Sequence, residues 1–139
     1  MQKFKQNARF NVFCYGTLEF EAVMKKVTGA TFPAEAATLI DHARYMVKGA
    51  PYPAVIQESG AVTEGTLYRG LSARHILMMD EYEESMYQRI QSEVLTKKGE
   101  LIVAVIYIVP PSRQHFLGKE MWNKQEFEQL YLKHFCKTL

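Results

Sequence analysis

Cys14 and Cys136 are the only two cysteines in 139 residues. They are too few for a disulfide framework or a cysteine-based zinc cage, and a reducing, cytoplasmic setting is the expectation. Long apolar runs are missing as well. The longest, Leu101 to Val109, falls well short of the ~20 residues that a membrane-spanning helix requires. Its valines and isoleucines suit a buried strand, so no membrane association is expected. Net charge is nearly absent: 17 basic residues against 15 acidic ones leave +2. That balance does not supply the bulk positive charge of a nucleic-acid groove. The stretch from Met1 to Arg9 carries three cations and no apolar centre, so it does not read as a secretory leader. No repeat and no low-complexity tract occurs.

What is present has the composition of a folded chain. Hydrophobic residues make up 47% and charged ones 23%, close to the globular average. The length fits one domain over residues 1–139, able to bury roughly 68–70% of its unfolded surface.

Apolar periodicity assigns the elements. Arg9 to Tyr15 is aromatic and β-branched and stops at Gly16. Glu19 to Val27 places Phe20, Val23, Met24 and Val27 at helical spacing, and Gly29 ends it. Ala36 to Val47 is strand-like, and Pro51 and Pro53 interrupt it. Ala54 to Ile56 forms a short apolar segment, Ser59-Gly60 reads as a turn, and Val62 to Tyr68 as a further strand. Ser72 is placed to cap a helix from Ala73 to about Glu83. Met86 to Thr96 and Leu101 to Val109 form a hairpin around Lys97 to Glu100. In the tail, Phe127, Leu130, Tyr131, His134 and Phe135 line one face of an amphipathic helix, with Asn123 and Glu126 as a capping pair. About six strands with few helices predict an α+β fold built on a small mixed barrel. The alternating strand–helix pattern of a nucleotide-binding sheet is absent.

Two constellations can carry chemistry. Tyr15-Gly16-Thr17-Leu18 ends the first strand. Glycine allows close approach or positive φ there, and successive N–H groups at such a turn can hold a carboxylate or phosphate. An ordinary tight turn has the same local sequence and is the commoner cause. The second is Asp80-Glu81-Tyr82-Glu83-Glu84, at a helix C-terminus where the macrodipole disfavours negative charge. Ile76, Met79 and Glu83 share one helical stripe, which turns Glu83 inward, while Glu81 and Glu84 lie off it. An inward carboxylate with like charges nearby has a raised pKa and can serve as general base and acid. The alternative is a solvated acidic helix end with Arg89 as its ion-pair partner. His42, His75, His115 and His134 are scattered, with no metal-ligand spacing, so no metal is expected. Cys14 reads as a buried inert thiol, and Trp122 with Phe116 as aromatic packing. The polar face of Lys124 to Lys137 carries both signs and reads as solvated.

The order Tyr15-Gly16-Thr17-Leu18, Pro51-Tyr52-Pro53-Ala54-Val55-Ile56, Glu64-Gly65-Thr66-Leu67-Tyr68, Met79-Asp80-Glu81-Tyr82-Glu83 and Tyr87-Gln88-Arg89 resembles the gamma-glutamylcyclotransferase-like family. That family includes a gamma-glutamylamine branch and the plant avirulence-induced-gene-like proteins. The resemblance runs from about Arg9 to Val109, while Ser112 to Leu139 is poorly covered. It implies a small mixed barrel flanked by helices, with one pocket at its mouth. It further implies that Tyr15, Gly16, Thr17 and Leu18 hold a substrate α-carboxylate through backbone N–H groups. Glu83 is then the catalytic carboxylate and Tyr87 lines the site. Met79 stands where leucine is usual, and Glu84 where glycine is common. The implied reaction releases 5-oxoproline and an amine from a γ-glutamyl compound without a cofactor. The expected partner is that small molecule, not a nucleic acid or membrane, with monomer and homodimer both open. The competing reading is a binding or protein-interaction module that keeps the pocket without turnover, motivated by Glu84 and the divergent tail.

Overall fold

The chain's β-branched and aromatic segments form five strands in a computed structural model that describes residues 8–139 and, of Glu84, the backbone only. They are β1 (Arg9–Cys14), β2 (Ala34–Met46), β3 (Pro53–Ser72), β4 (Gln88–Thr96) and β5 (Leu101–Ile108). The helices are α1 (Glu21–Thr28), α2 (Ala73–Glu83), α3 (Lys124–Leu130) and α4 (Leu132–Thr138). Most of the stretch from Met1 to Arg9, read above for a leader, lies outside the described residues. No helix among them is long and apolar enough to cross a membrane.

The sheet order is β1-β3-β2-β4-β5, and the sheet returns on itself. All ladders are antiparallel except the last seam, a single parallel pairing of Val12 with Val105. The fold is therefore the expected α+β type with a mixed sheet, built from five strands where about six were predicted. The short apolar segment at Ala54 to Ile56 and the strand read over Val62 to Tyr68, on either side of Ser59-Gly60, belong to one continuous strand, β3. Gly60 adopts φ 85° and Asp41, on the paired strand, φ 60°. The register shifts between Ile40 and His42, and Asp41 Oδ1 accepts the Gly60 N–H at 2.9 Å. A bulge of this kind uses turn residues to bend a ladder without ending it.

The pleat sends alternate residues into two apolar layers. Phe13, Leu39, Val55, Leu67, Val94 and Ile106 come from all five strands and pack together. Their neighbours Val12, Cys14, Tyr68, Leu71 and Val105 face the helices. There they meet Val23 and Met24 of α1, Ile76 and Met79 of α2, and Phe127 of α3. Trp122 joins this second layer, whereas Phe116 is exposed. Ser72 caps α2 as expected, its Oγ accepting the His75 N–H at 3.3 Å.

The tail departs from the predicted single helix. Asn123 caps α3 through a 2.9 Å bond from the Glu126 N–H, but Tyr131, at φ −126°, separates α3 from α4. The phase of the apolar face shifts there. Phe127, Leu132, Phe135 and Cys136 pack inward, while Leu130 and Tyr131 are exposed. His134 is exposed as well.

One close approach sets how β1 lies on β3. A Cβ added at Gly65 would fall 2.3 Å from the Cys14 carbonyl oxygen and 2.7 Å from Phe13 Cζ. Gly65→Ala is expected to destabilise the protein by about 1–3 kcal/mol, read as a lower urea midpoint with an unchanged m value. An unchanged midpoint would show that this strand contact yields freely.

Candidate active site

The loop after β1 is held from several sides. The Tyr15 side chain enters the barrel core, and its hydroxyl donates to the Tyr107 carbonyl oxygen. Gly16 has φ −140°, so positive φ is not what requires glycine here. The requirement is space: a Cβ would sit 2.9 Å from Cγ and Cδ of Pro53. The Gly16 carbonyl oxygen accepts the Glu19 N–H at 3.0 Å, which starts a 3-10 turn over Thr17–Glu19. The N–H groups of Gly16, Thr17 and Leu18 have no acceptor in the hydrogen bonds found among the described residues.

The acidic end of α2 separates into distinct environments. Asp80 is paired: Arg89 Nη1 lies 2.6 Å from Oδ2, and the Tyr107 hydroxyl donates to Oδ1 at 2.6 Å. The Arg89 ion pair of the alternative reading forms, and its partner within the acidic run is Asp80. Glu81 is exposed. Glu84, expected off the inward stripe, has its side chain outside the described residues. Ile76 and Met79 are fully buried on the inward stripe, and Glu83, next on that stripe, lines a cavity. Burial pushes its pKa up to about 8, because enclosure disfavours the charged form.

That cavity has a volume of about 200 Å³. Tyr15, Gly16, Thr17, Leu18, Glu83 and Tyr87 all line it, so the six residues singled out in the sequence meet in one place. Glu83 is the one charged side chain among its described lining residues. The remaining wall went unassigned in the sequence. Tyr52 and Pro53 enter from the start of β3, Tyr82 precedes Glu83, and Phe135 comes from α4. Tyr82 was findable as the neighbour of Glu83, whereas the helical spacing that puts Phe135 on an apolar face does not mark it for the cavity. Two hydrogen bonds tie the walls together. Thr17 Oγ1 and the Tyr82 hydroxyl lie 2.9 Å apart, and the Tyr87 hydroxyl donates to the Pro53 carbonyl oxygen at 3.0 Å. Burial pushes the Tyr82 and Tyr87 phenols up, and the Glu83 charge adds to this. Both remain protonated donors at neutral pH. Burial likewise keeps the Cys14 thiol protonated, as expected of an inert cysteine. A second, more open groove of about 650 Å³ runs along Met46–Pro51 and Gly118–Glu120. None of the six residues reaches it.

A family model described as gamma-glutamyl cyclotransferase, AIG2-like, matches residues 12–125. An AIG2-like protein D of Arabidopsis thaliana is 27% identical over 129 residues, covering 91% of this chain and 84% of that protein. A solution structure of another Arabidopsis thaliana protein superimposes with a TM-score of 0.74 at 24% identity, covering 99% of this chain and 83% of that one. A solved gamma-glutamyl cyclotransferase superimposes with a TM-score of 0.65 at 14% identity, covering 95% of this chain and 100% of that one. The two structural likenesses establish a shared fold.

The raised value of Glu83 has a consequence for stability. Its folded value is about 8, against ~4.3 for an unfolded glutamate. The folded state therefore favours the proton. The associated stability is present below the unfolded value and is lost as pH rises through the folded one. Glu83→Gln, neutral throughout, is expected to match the parent near pH 4, below the unfolded value, and to exceed it at pH 9, by urea midpoints at each pH. Equal midpoints at pH 9 would mean that the carboxylate is well solvated.

Proposed function

The chain belongs to the gamma-glutamyl cyclotransferase, AIG2-like family, and from that premise we propose that it is a cyclotransferase. It would convert a γ-glutamyl amine, or a γ-glutamyl amino acid or peptide, into 5-oxoproline and the free amine. The observation that carries this reading is the company Glu83 keeps. Among the described residues, a single carboxyl group, with its pKa near 8, shares a small aromatic cavity with a loop whose backbone N–H groups have no acceptor.

The substrate contains its own nucleophile, so the protein's task is largely orientation. The N–H groups of Gly16 to Leu18 receive the α-carboxylate, and the walls fold the γ-glutamyl chain until its α-nitrogen faces the γ-carbonyl carbon. Ring closure is then intramolecular, where effective molarities reach ~10⁵–10⁸ M. The Glu83 carboxylate accepts a proton from the α-ammonium group. The freed amine attacks the γ-carbonyl carbon, forming the ring C–N bond and placing negative charge on the carbonyl oxygen. That charge returns to re-form the carbonyl as the original amide C–N bond breaks. Glu83, now protonated, delivers its proton to the departing amine nitrogen. The regenerated carboxylate takes the surplus proton from the ring nitrogen and passes it to the amine, which leaves as an ammonium ion, so charge and protons balance. A carboxyl with a value near the working pH is suited to these transfers. The Tyr82 and Tyr87 hydroxyls are bonded to protein groups, which keeps the walls in place around the folded substrate.

The test is direct incubation with γ-glutamyl amines, γ-glutamyl dipeptides and glutathione, followed by measurement of 5-oxoproline. Glu83→Gln is expected to lower kcat by ~10²–10⁴ while retaining the fold. For the parent, kcat/KM is expected to rise with pH as Glu83 ionises in the free protein, with its acid limb near pH 8. Full activity in Glu83→Gln would refute the assignment. Binding of γ-glutamyl compounds without any product would favour the non-catalytic module.

A further inference from the structure

We propose that Arg44 is a positioning residue that aims the backbone N–H groups of the Tyr15–Leu18 loop into the cavity; this rests on reading that loop as the carboxylate site. Arg44 lies in β2 and does not line the cavity. Its Nη1 donates to the Tyr15 carbonyl oxygen at 2.8 Å and to the Glu64 carbonyl oxygen at 3.1 Å. The guanidinium lies over the Trp122 ring, 5.3 Å from its centroid. The Trp122 indole N–H is in turn held by the Pro51 carbonyl oxygen at 2.8 Å. Arg44 is therefore fixed from one side by an aromatic face and spends its donor on the loop.

The consequence follows from peptide geometry. A trans peptide places its C=O and N–H on opposite sides, and no cis bond occurs among the described residues. With the Tyr15 carbonyl turned to Arg44, behind the loop, the Gly16 N–H of the same peptide faces the other way. The next peptide is set likewise, because the Gly16 carbonyl is held by the Glu19 N–H at 3.0 Å. This orients the Thr17 N–H. A cation on the Tyr15 carbonyl also polarises that peptide, which strengthens its N–H as a donor to an anion.

An alternative role would be a simple ion pair with Glu19. The geometry argues against it. Arg44 Nη1 and Glu19 Oε2 are 3.8 Å apart, and among the described residues neither Arg44 Nε nor Glu19 Oε2 has a hydrogen-bond partner. A pair built for its own sake would be bidentate at about 2.7–2.9 Å. Glu19 also faces Lys124, at 3.7 Å, and Thr66, at 3.2 Å, so its carboxylate balances two cations and is not dedicated to one. The guanidinium is oriented to the backbone carbonyls.

The test compares 5-oxoproline with its carboxamide, 5-oxoprolinamide, by calorimetry on the parent and Arg44→Met. The parent is expected to prefer the carboxylate by at least about tenfold, the scale of hydrogen bonds to a charged group. Arg44→Met should compress that preference by about tenfold while changing carboxamide affinity less than about twofold. With a turned-over γ-glutamyl substrate, the loss should appear in KM more than in kcat. Arg44→Lys keeps the charge without the planar fork. It should lie between the two, and it serves if Arg44→Met does not fold. An unchanged preference in the variants would overturn the proposal, and so would an equal loss for both ligands, which marks a structural role. A parent with no preference would refute the carboxylate loop itself, and with it the function proposed above.

Discussion

An ionisable carboxyl enclosed by aromatic side chains is the constraint around which this chain is organised. Glu83 has little local reason to be where it is, at the C-terminal end of a helix and inside a cavity. It is held there by what surrounds it. Ile76 and Met79 bury the same stripe of α2. Asp80, three residues earlier in the chain, is pinned by Arg89 and Tyr107, which fixes the rotation of the last helical turn. Asp80 meets charge and hydroxyl groups, whereas Glu83 meets enclosure, which raises its pKa.

The opposite requirement, to leave backbone donors available, governs the loop after β1. There the barrel supplies rigidity from behind. Tyr15 is inserted in the core, Pro53 excludes a Cβ from Gly16, and Arg44 holds the Tyr15 carbonyl. The Thr17–Tyr82 and Tyr87–Pro53 hydrogen bonds then join the loop, α2 and the start of β3 into one frame. The cavity is small because these contacts are close, and its walls come from segments far apart in sequence.

Local patterns reveal some of this and hide the rest for physical reasons. The 3.6-residue period selected Glu83 among its acidic neighbours, and the Ser72 cap and the β4–β5 hairpin are short-range signals that the structure repeats. The continuity of β3 was hidden because a bulge at Asp41 and Gly60 uses the same residues as a turn. The break at Tyr131 was hidden because no glycine or proline marks it. Phe135 and Arg44 were invisible for a different reason. Helical periodicity places Phe135 on an apolar face without marking a cavity, a lone arginine in a strand has no periodic signature, and the roles of both exist only once distant elements pack. Of the two reasons for a glycine at position 16, close approach and positive φ, the second does not apply. The steric limit comes from Pro53, a contact across the fold.

The central claim is that Glu83 and the Tyr15–Leu18 loop act on the same bound molecule. A structure of the protein with 5-oxoproline tests it most directly. The expected result is the carboxylate within hydrogen-bond distance of the Gly16 and Thr17 N–H groups, with the ring nitrogen beside the Glu83 carboxyl. A carboxylate seated away from that loop, or a ring out of reach of Glu83, would contradict it.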